Sequence, residues 1–287
     1  MSGPEDPPVA LSIAGSDSGA GAGIQADLKT MAALGVFATT VVTAVTAQNT
    51  TAVRAVHLLP VPMIEAQIAA VFEDFRVASV KTGMLGTASV VEAVGRRAAH
   101  GDLPRLVVDP VMVASTGRIF LDDQGVDAYR LHLLPHTLVT TPNLWEAGLL
   151  AGVDPGSLRD IEAMGEVARR IHDLGPAYVL VKGGHLPGVE PHDVGAAPEQ
   201  VADVLFDGSH VTVLTGTRVD TANTHGTGCS LSSAITAHLA RGADVPTAVR
   251  EAKEFVHRAL VGGAEWQLGK GHGPLDHHGW SRRSRDE

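Results

Sequence analysis

Short, mostly apolar runs, most of them ending in a turn residue and followed by a helical pattern, constrain this chain more than any other feature. Residues 9–14, 78–82, 106–109, 138–141 and 178–182 are such runs, and the β-rich 37–48 and the short 55–58 join them. A strand that is apolar throughout must be buried on both faces, as in a parallel sheet covered by helices. Helical patterns lie between the runs, at residues 24–34 and after Pro62, and two more follow at about 227–241 and 247–268. One segment breaks the rhythm: residues 201–206 and 211–214, split by Asp207-Gly208, read as a hairpin. The expected class is α/β, with a mostly parallel central sheet and helices on both faces.

The 287 residues permit one large domain or two small ones. No shift in composition marks a break, so a single domain over 9–280 is expected, with disordered ends at 1–8 and 281–287. A hydrophobic content of 44% with 32 glycines suits a large buried core. The formal charge of −10 argues against general nucleic-acid binding, which needs a basic footprint. It leaves nucleotide binding open, because backbone amides and a few lysines override net charge locally. One cysteine excludes an intramolecular disulfide and fits a reducing compartment. No apolar run reaches about 18 residues, and the acidic, proline-rich start is unlike a signal peptide. These features describe a soluble cytoplasmic enzyme with no membrane partner. The 14 histidines, His272, His277 and His278 among them, show no structural zinc spacing.

In an open parallel sheet, ligands bind beyond the carboxyl ends of the strands. The unusual residues fall there: the glycine-rich 15–23, Gln48-Asn49, Lys81-Thr82-Gly83-Met84, Asp109-Pro110, Thr141-Pro142-Asn143 and Lys182-Gly183-Gly184-His185. Each alone is ordinary connection chemistry, but their recurrence at one edge points to a site. The first loop lacks the P-loop pattern and a correctly spaced third glycine for dinucleotides, so a plain turn stays open for it. The segment Asn223-Thr224-His225-Gly226-Thr227-Gly228-Cys229 is more specific. Its glycines and the helix that follows offer converging N–H groups and a positive dipole end, the chemistry of an anion hole. A thiol at a helix start is biased toward thiolate. The plain alternative is a glycine-rich helix start with a small buried thiol.

The motifs AGSDSGAGAGIQADLKT, TAQNT, KTGML, DPVM, TPNLWEA, VKGGH and NTHGTGCSLSSAI occur in this order between Ala14 and Ile235. With them the chain closely resembles the bifunctional hydroxymethylpyrimidine kinase/phosphomethylpyrimidine kinases of thiamine biosynthesis, members of the ribokinase superfamily. The resemblance covers roughly residues 9–280. It implies a three-layer α/β/α ribokinase-like fold and ATP- and Mg²⁺-dependent phosphorylation of 4-amino-5-hydroxymethyl-2-methylpyrimidine, then of its monophosphate. It also implies a homodimer.

The resemblance assigns roles to residues. Gln48 would read the aminopyrimidine, since an amide both donates and accepts. Ala14, Gly15 and Asp27 would face the same pocket, with Met84 as an apolar wall. Core packing for Met84 and a helix-start charge for Asp27 are the plain alternatives. Asn143 and Glu146 match an Asn-x-x-Glu element, in which Glu146 would organise hydrated Mg²⁺. The same pair also fits a helix N-cap and its third residue. Lys182 and Thr215 would lie along the ATP, and Asp109 near its phosphates or metal. Gly226, Thr227 and Gly228 would form the anion hole, and Cys229 would serve as general base or proton relay where many superfamily members carry aspartate. Ala222 stands where these kinases often carry lysine, so either ATP affinity is lower here or Lys182 compensates. Pyridoxal kinase activity and a non-catalytic pyrimidine-binding module remain as alternatives.

Overall fold

The computed structural model describes residues 6–112, 121–184 and 200–283. Its first half runs β1 (Val9–Asp17), α1 (Gly23–Ala33), β2 (Phe37–Gln48), β3 (Val53–Leu58), α2 (Val61–Asp74), β4 (Val77–Thr82), α3 (Ala88–Ala99) and β5 (Val107–Val108). Then follow α4 (Asp123–Ala128), β6 (Val139–Thr140), α5 (Leu144–Ala151), α6 (Ile161–His172), β7 (Tyr178–Lys182), β8 (Gln200–Phe206) and β9 (Val211–Thr217). The chain closes with α7 (Thr227–Ala240), α8 (Val245–Gly263) and the short α9 (Trp280–Arg283).

These residues gather into two compact units with interleaved sequences, where a single domain is the sequence expectation. One unit holds the residues up to Leu85, Leu103–Arg105 and those from Thr221 onward; the other holds Gly86–Asp102 and Leu106–Asp220. Because neither unit is contiguous in sequence, no linker composition betrays the division.

In the first unit the strand order is β3-β2-β1-β4. β1 runs parallel to both β2 and β4, while β3 returns antiparallel to β2. Leu11 and Ile13 of β1 are fully buried on either side of Ser12, itself buried, which accounts for its mostly apolar run. α1 and α7 pack on β1 and on each other, α8 covers α7, and α2 packs on β2. The pattern extending to residue 268 overshoots α8, which stops at Gly263. There the Asn223 amide donates to the carbonyls of Gly263 and Trp266, at 2.8 Å each, in place of further helix bonds. Order also continues past residue 280: Ser281 donates its hydroxyl to Gly262 O at 2.7 Å and its N–H to Asp276.

In the second unit the order is β5-β6-β7-β8-β9, parallel through β7 and antiparallel thereafter. The expected hairpin is β8–β9, and its turn is closed by Asp207, which accepts from the N–H groups of Ser209 and His210. β5 and β6 are shorter than their apolar runs, because Pro110 and Pro142 follow and offer no N–H to a ladder. The sequence of residues 187–200, polar and rich in glycine and proline, reads as a loop; its residues 187–199, with His185 and the terminal residues 1–5 and 284–287, lie outside the described residues, while Gln200 opens β8. Among the described residues no helix is long and apolar enough to cross a membrane.

Candidate active site

In the first unit, the parallel arrangement brings the carboxyl ends of β1, β2 and β4 to one edge. A register shift between Ala14 and Ser16 marks Gly15. A side chain there would meet the Met84 methyl at 2.4 Å, so Ala14, Gly15 and Met84 are brought together as expected. Gln48 ends β2 half-buried, with its amide 3.2 Å from His225 Nε2 and 3.3 Å from Thr46 Oγ1.

Asp27 departs from expectation. It is fully buried rather than presented to a pocket, and its carboxylate accepts from Lys81 Nζ at 2.7 Å, Ser12 Oγ at 2.5 Å and Ser233 Oγ at 2.6 Å. A charge sealed from water needs such partners, so Asp27 ties α1, β1, β4 and α7 together. The helix-start alternative fails as well, because burial removes its carboxylate from the helix end.

The Gly226 turn matches an anion hole in form. Gly226 has φ of +88°, and a Cβ on it would lie 1.9 Å from Gly21 O, so only glycine fits. Thr227, Gly228 and Cys229 are the first three residues of α7, and the Thr227 N–H donates back to Thr224 O at 3.2 Å. Cys229 is half-buried. One residue on, Ser230 Oγ meets His277 Nε2 at 2.8 Å. Burial, then the nearby charges of Lys29 and His278, press His277 down to about 4, so its ring is neutral.

Three organisers of this unit escaped the sequence reading. Asp17 accepts the N–H groups of Gly19 (2.8 Å), Gly21 (3.1 Å) and Ala22 (2.9 Å), and so shapes the glycine loop. His225 meets Asp17 Oδ2 at 2.9 Å. Asn223 binds the end of α8 and also accepts from Gly273 N–H at 3.0 Å. The signal for Asp17 was present: a lone acid among glycines supplies the acceptor that exposed loop amides need.

In the second unit, Asp109, Thr141 and Lys182 follow the parallel strands β5, β6 and β7. Asp109 Oδ1 accepts from Lys182 Nζ at 2.9 Å and from Thr141 Oγ1 at 3.2 Å. Asn143 and Glu146 form a reciprocal capping box at the start of α5, each bond 2.9 Å. Burial raises the Glu146 carboxyl to about 7; Lys182 pulls it down and Asp109 pushes it up, with N–H groups of Asn143 and Met112 opposing. Tyr129 is fully buried, and its hydroxyl finds no partner among the described residues. Burial and the charges of Asp109 and Glu146 push its phenol upward. Thr215 is not gathered here: it stands exposed on β9, paired with Ala202. Among the described residues no three His, Cys, Asp or Glu are grouped to hold a metal ion.

A glycine turn at a helix start can receive an anion, and a lysine can neutralise one. Residues 17–276 match the family model described as phosphomethylpyrimidine kinase. The chain belongs to the phosphomethylpyrimidine kinase family. It is 45% identical over 278 residues to the hydroxymethylpyrimidine/phosphomethylpyrimidine kinase of Streptomyces coelicolor, covering 97% of each chain. Among solved structures it is similar to the phosphomethylpyrimidine kinase of Clostridium difficile 630, at 37% identity and TM-score 0.74, covering 88% of this chain and 99% of that one. It is also similar to the pyridoxal kinase of Staphylococcus aureus in complex with AMP-PCP and pyridoxal. That match has 34% identity and TM-score 0.83, over 96% of this chain and 95% of the other. The α/β class inferred from the strand rhythm and the ribokinase-like fold implied by the motif resemblance therefore hold, and the family match spans both the Asp17 loop and the Cys229 turn.

Proposed function

We propose that this chain transfers the γ-phosphoryl group of ATP to the hydroxymethyl group of 4-amino-5-hydroxymethyl-2-methylpyrimidine, and then phosphorylates the monophosphate. The Gly226–Thr227–Gly228–Cys229 turn carries this reading. Such transfer is mostly positioning and charge stabilisation, and helix-start N–H groups serve a phosphoryl group in flight. Cys229 stands at the third position of α7, where the helix dipole favours the thiolate that accepts the substrate proton. Gln48 reads the ring, with Ala14, Gly15 and Met84 forming the wall beside it. Asp27 acts beneath this pocket, by holding its frame.

Lys182 pairs with nucleotide phosphates in exchange for part of its contact with Asp109. The paired hard-oxygen donors Glu146 and Asp109 fit Mg²⁺, since a cation relieves the burial and repulsion that raise Glu146. Mg²⁺ supplies charge neutralisation on the phosphate oxygens when bound. The likeness to a pyridoxal kinase favours a second reading, phosphorylation of pyridoxal.

Product masses after incubation with ATP, Mg²⁺ and either alcohol test both readings. A pyrimidine diphosphate is expected; a product from pyridoxal alone would replace the first reading with the second. Cys229→Ala should lower kcat by about 10²-fold or more with little change in pyrimidine affinity. Turnover near that of the parent would remove Cys229 from proton transfer.

A further inference from the structure

Asp17, Gln48 and His225, far apart in sequence, meet through the His225 ring, and the placement of their hydrogens is fixed by elimination. Asp17 is held by three loop N–H groups and by His225. Burial raises its carboxyl, but the hydrogen bonds from His225, Ala22 and Gly19 outweigh burial and hold it below the usual range, so it is ionised. An ionised carboxylate only accepts. The hydrogen in the 2.9 Å contact between Asp17 Oδ2 and His225 Nε2 therefore sits on the imidazole.

That assignment propagates to the amide. The nitrogen position of the Gln48 amide lies 3.2 Å from the same His225 Nε2, which would set two donors against each other. Oxygen and nitrogen of an amide are told apart by their hydrogen-bond partners. Turning the amide by half a revolution puts its oxygen toward His225 and its nitrogen toward Thr46 Oγ1, at 3.3 Å. The Thr46 hydroxyl donates to Ser16 O at 3.0 Å, so its oxygen is available to accept from that nitrogen. Each group then has a single role, from the carboxylate through the imidazole to the amide.

We propose that the Asp17–His225 pair is a specificity device that locks the Gln48 amide in one of its two orientations. This rests on Gln48 being the residue that reads the ring. A locked amide presents one N–H and one oxygen lone pair in fixed spatial order. A 4-aminopyrimidine edge, with an acceptor ring nitrogen beside a donor amine, matches one order only. The 4-oxo analogue reverses the pattern, with a donor ring N–H beside an acceptor oxygen, and meets like against like. Without the lock, the amide turns and accommodates either ring. His225 thus acts through Gln48 as a positioning residue.

The test compares kcat/KM for the 4-amino and 4-oxo 5-hydroxymethyl-2-methylpyrimidines in the parent, His225→Gln and His225→Leu. Both substrates are measured on one preparation, so a loss of folded protein cancels from the ratio. The parent should prefer the amine by about 10²-fold or more, as sites that hydrogen-bond their substrate do. His225→Gln keeps an N–H near the Nε2 position and should retain that preference. His225→Leu should reduce it to within about 10-fold, with the analogue gaining in relative terms. If the leucine variant turns over too slowly, relative Kd values for the two rings by calorimetry give the same ratio. An unchanged ratio in His225→Leu, or equal collapse in both variants, overturns the lock. A parent that phosphorylates neither ring overturns instead the reading of function on which it rests.

Discussion

The buried charges of the two units are treated in opposite ways. In the first unit Asp27 has three donors and Asp17 four, and Asn223 spends its amide on two carbonyls and a backbone N–H. In the second, Glu146 sits in a buried site that pushes its proton affinity up, beside a second acid and a phenol with no partner among the described residues. A saturated network is rigid and gains nothing further from a ligand, whereas a strained one is relieved by a cation or a phosphate partner. The contrast separates a preorganised frame for a neutral ring from a seat whose charges await their complement.

The largest effect should come from unbalancing the frame. Asp27→Asn keeps the shape of the side chain but leaves the Lys81 ammonium, also fully buried, without its counter-charge. Breaking one side of a buried pair costs about 3–5 kcal/mol, and denaturant unfolding of the variant should show that loss. If Asp27 instead serves the substrate directly, the variant will unfold like the parent and show only a raised KM for the pyrimidine.

The opposite sign is expected in the second unit. Glu146, at about 7 when folded against 4.5 as its ordinary value, binds more protons folded than unfolded between those two pH values. Stability therefore falls as pH rises through that window, and the full penalty, about 3 kcal/mol, is present above it. Glu146→Gln keeps a capping-box side chain but removes the charge. At pH 8 the variant should be more stable than the parent, and the fall in stability between pH 5 and 7 should flatten. Its affinity for the Mg²⁺–nucleotide should drop at the same time. A variant less stable than the parent at pH 8 would mean that Lys182 already compensates the charge.

What the sequence made legible follows the same division. Strand rhythm revealed every parallel strand, because burial on both faces leaves a mostly apolar run, and Asp207-Gly208 marked the hairpin. Gly226 was legible because a positive φ beside a helix start admits little else. The roles of Asp27, Asn223 and His225 were not, because each depends on partners distant in sequence, and residue spacing carries no record of such pairs. The position of Thr215 was not legible for a related reason: its place on an exposed strand is set by the β8–β9 register rather than by its own neighbours in sequence. The interleaving of the two units was hidden because crossing points such as Leu85 and Leu106 resemble the core on either side.

Tyr129 gives the smallest and sharpest test of the contrast. It opens a π-helical turn (Tyr129–Leu133) directly after α4, a local irregularity often kept for function. Burial and the charges of Asp109 and Glu146 keep its phenol protonated, so it remains a donor at every working pH. A buried donor without a partner costs about 1–3 kcal/mol. Removing it in Tyr129→Phe should therefore stabilise the free protein by about 1 kcal/mol, since the ring still fills its space. If the hydroxyl is held for a ligand, the extra stability that Mg²⁺–ATP confers will shrink in the variant by a similar amount. Should the phenylalanine form unfold more easily, the hydroxyl is already satisfied in the free protein, and the second unit is less strained than its charges imply.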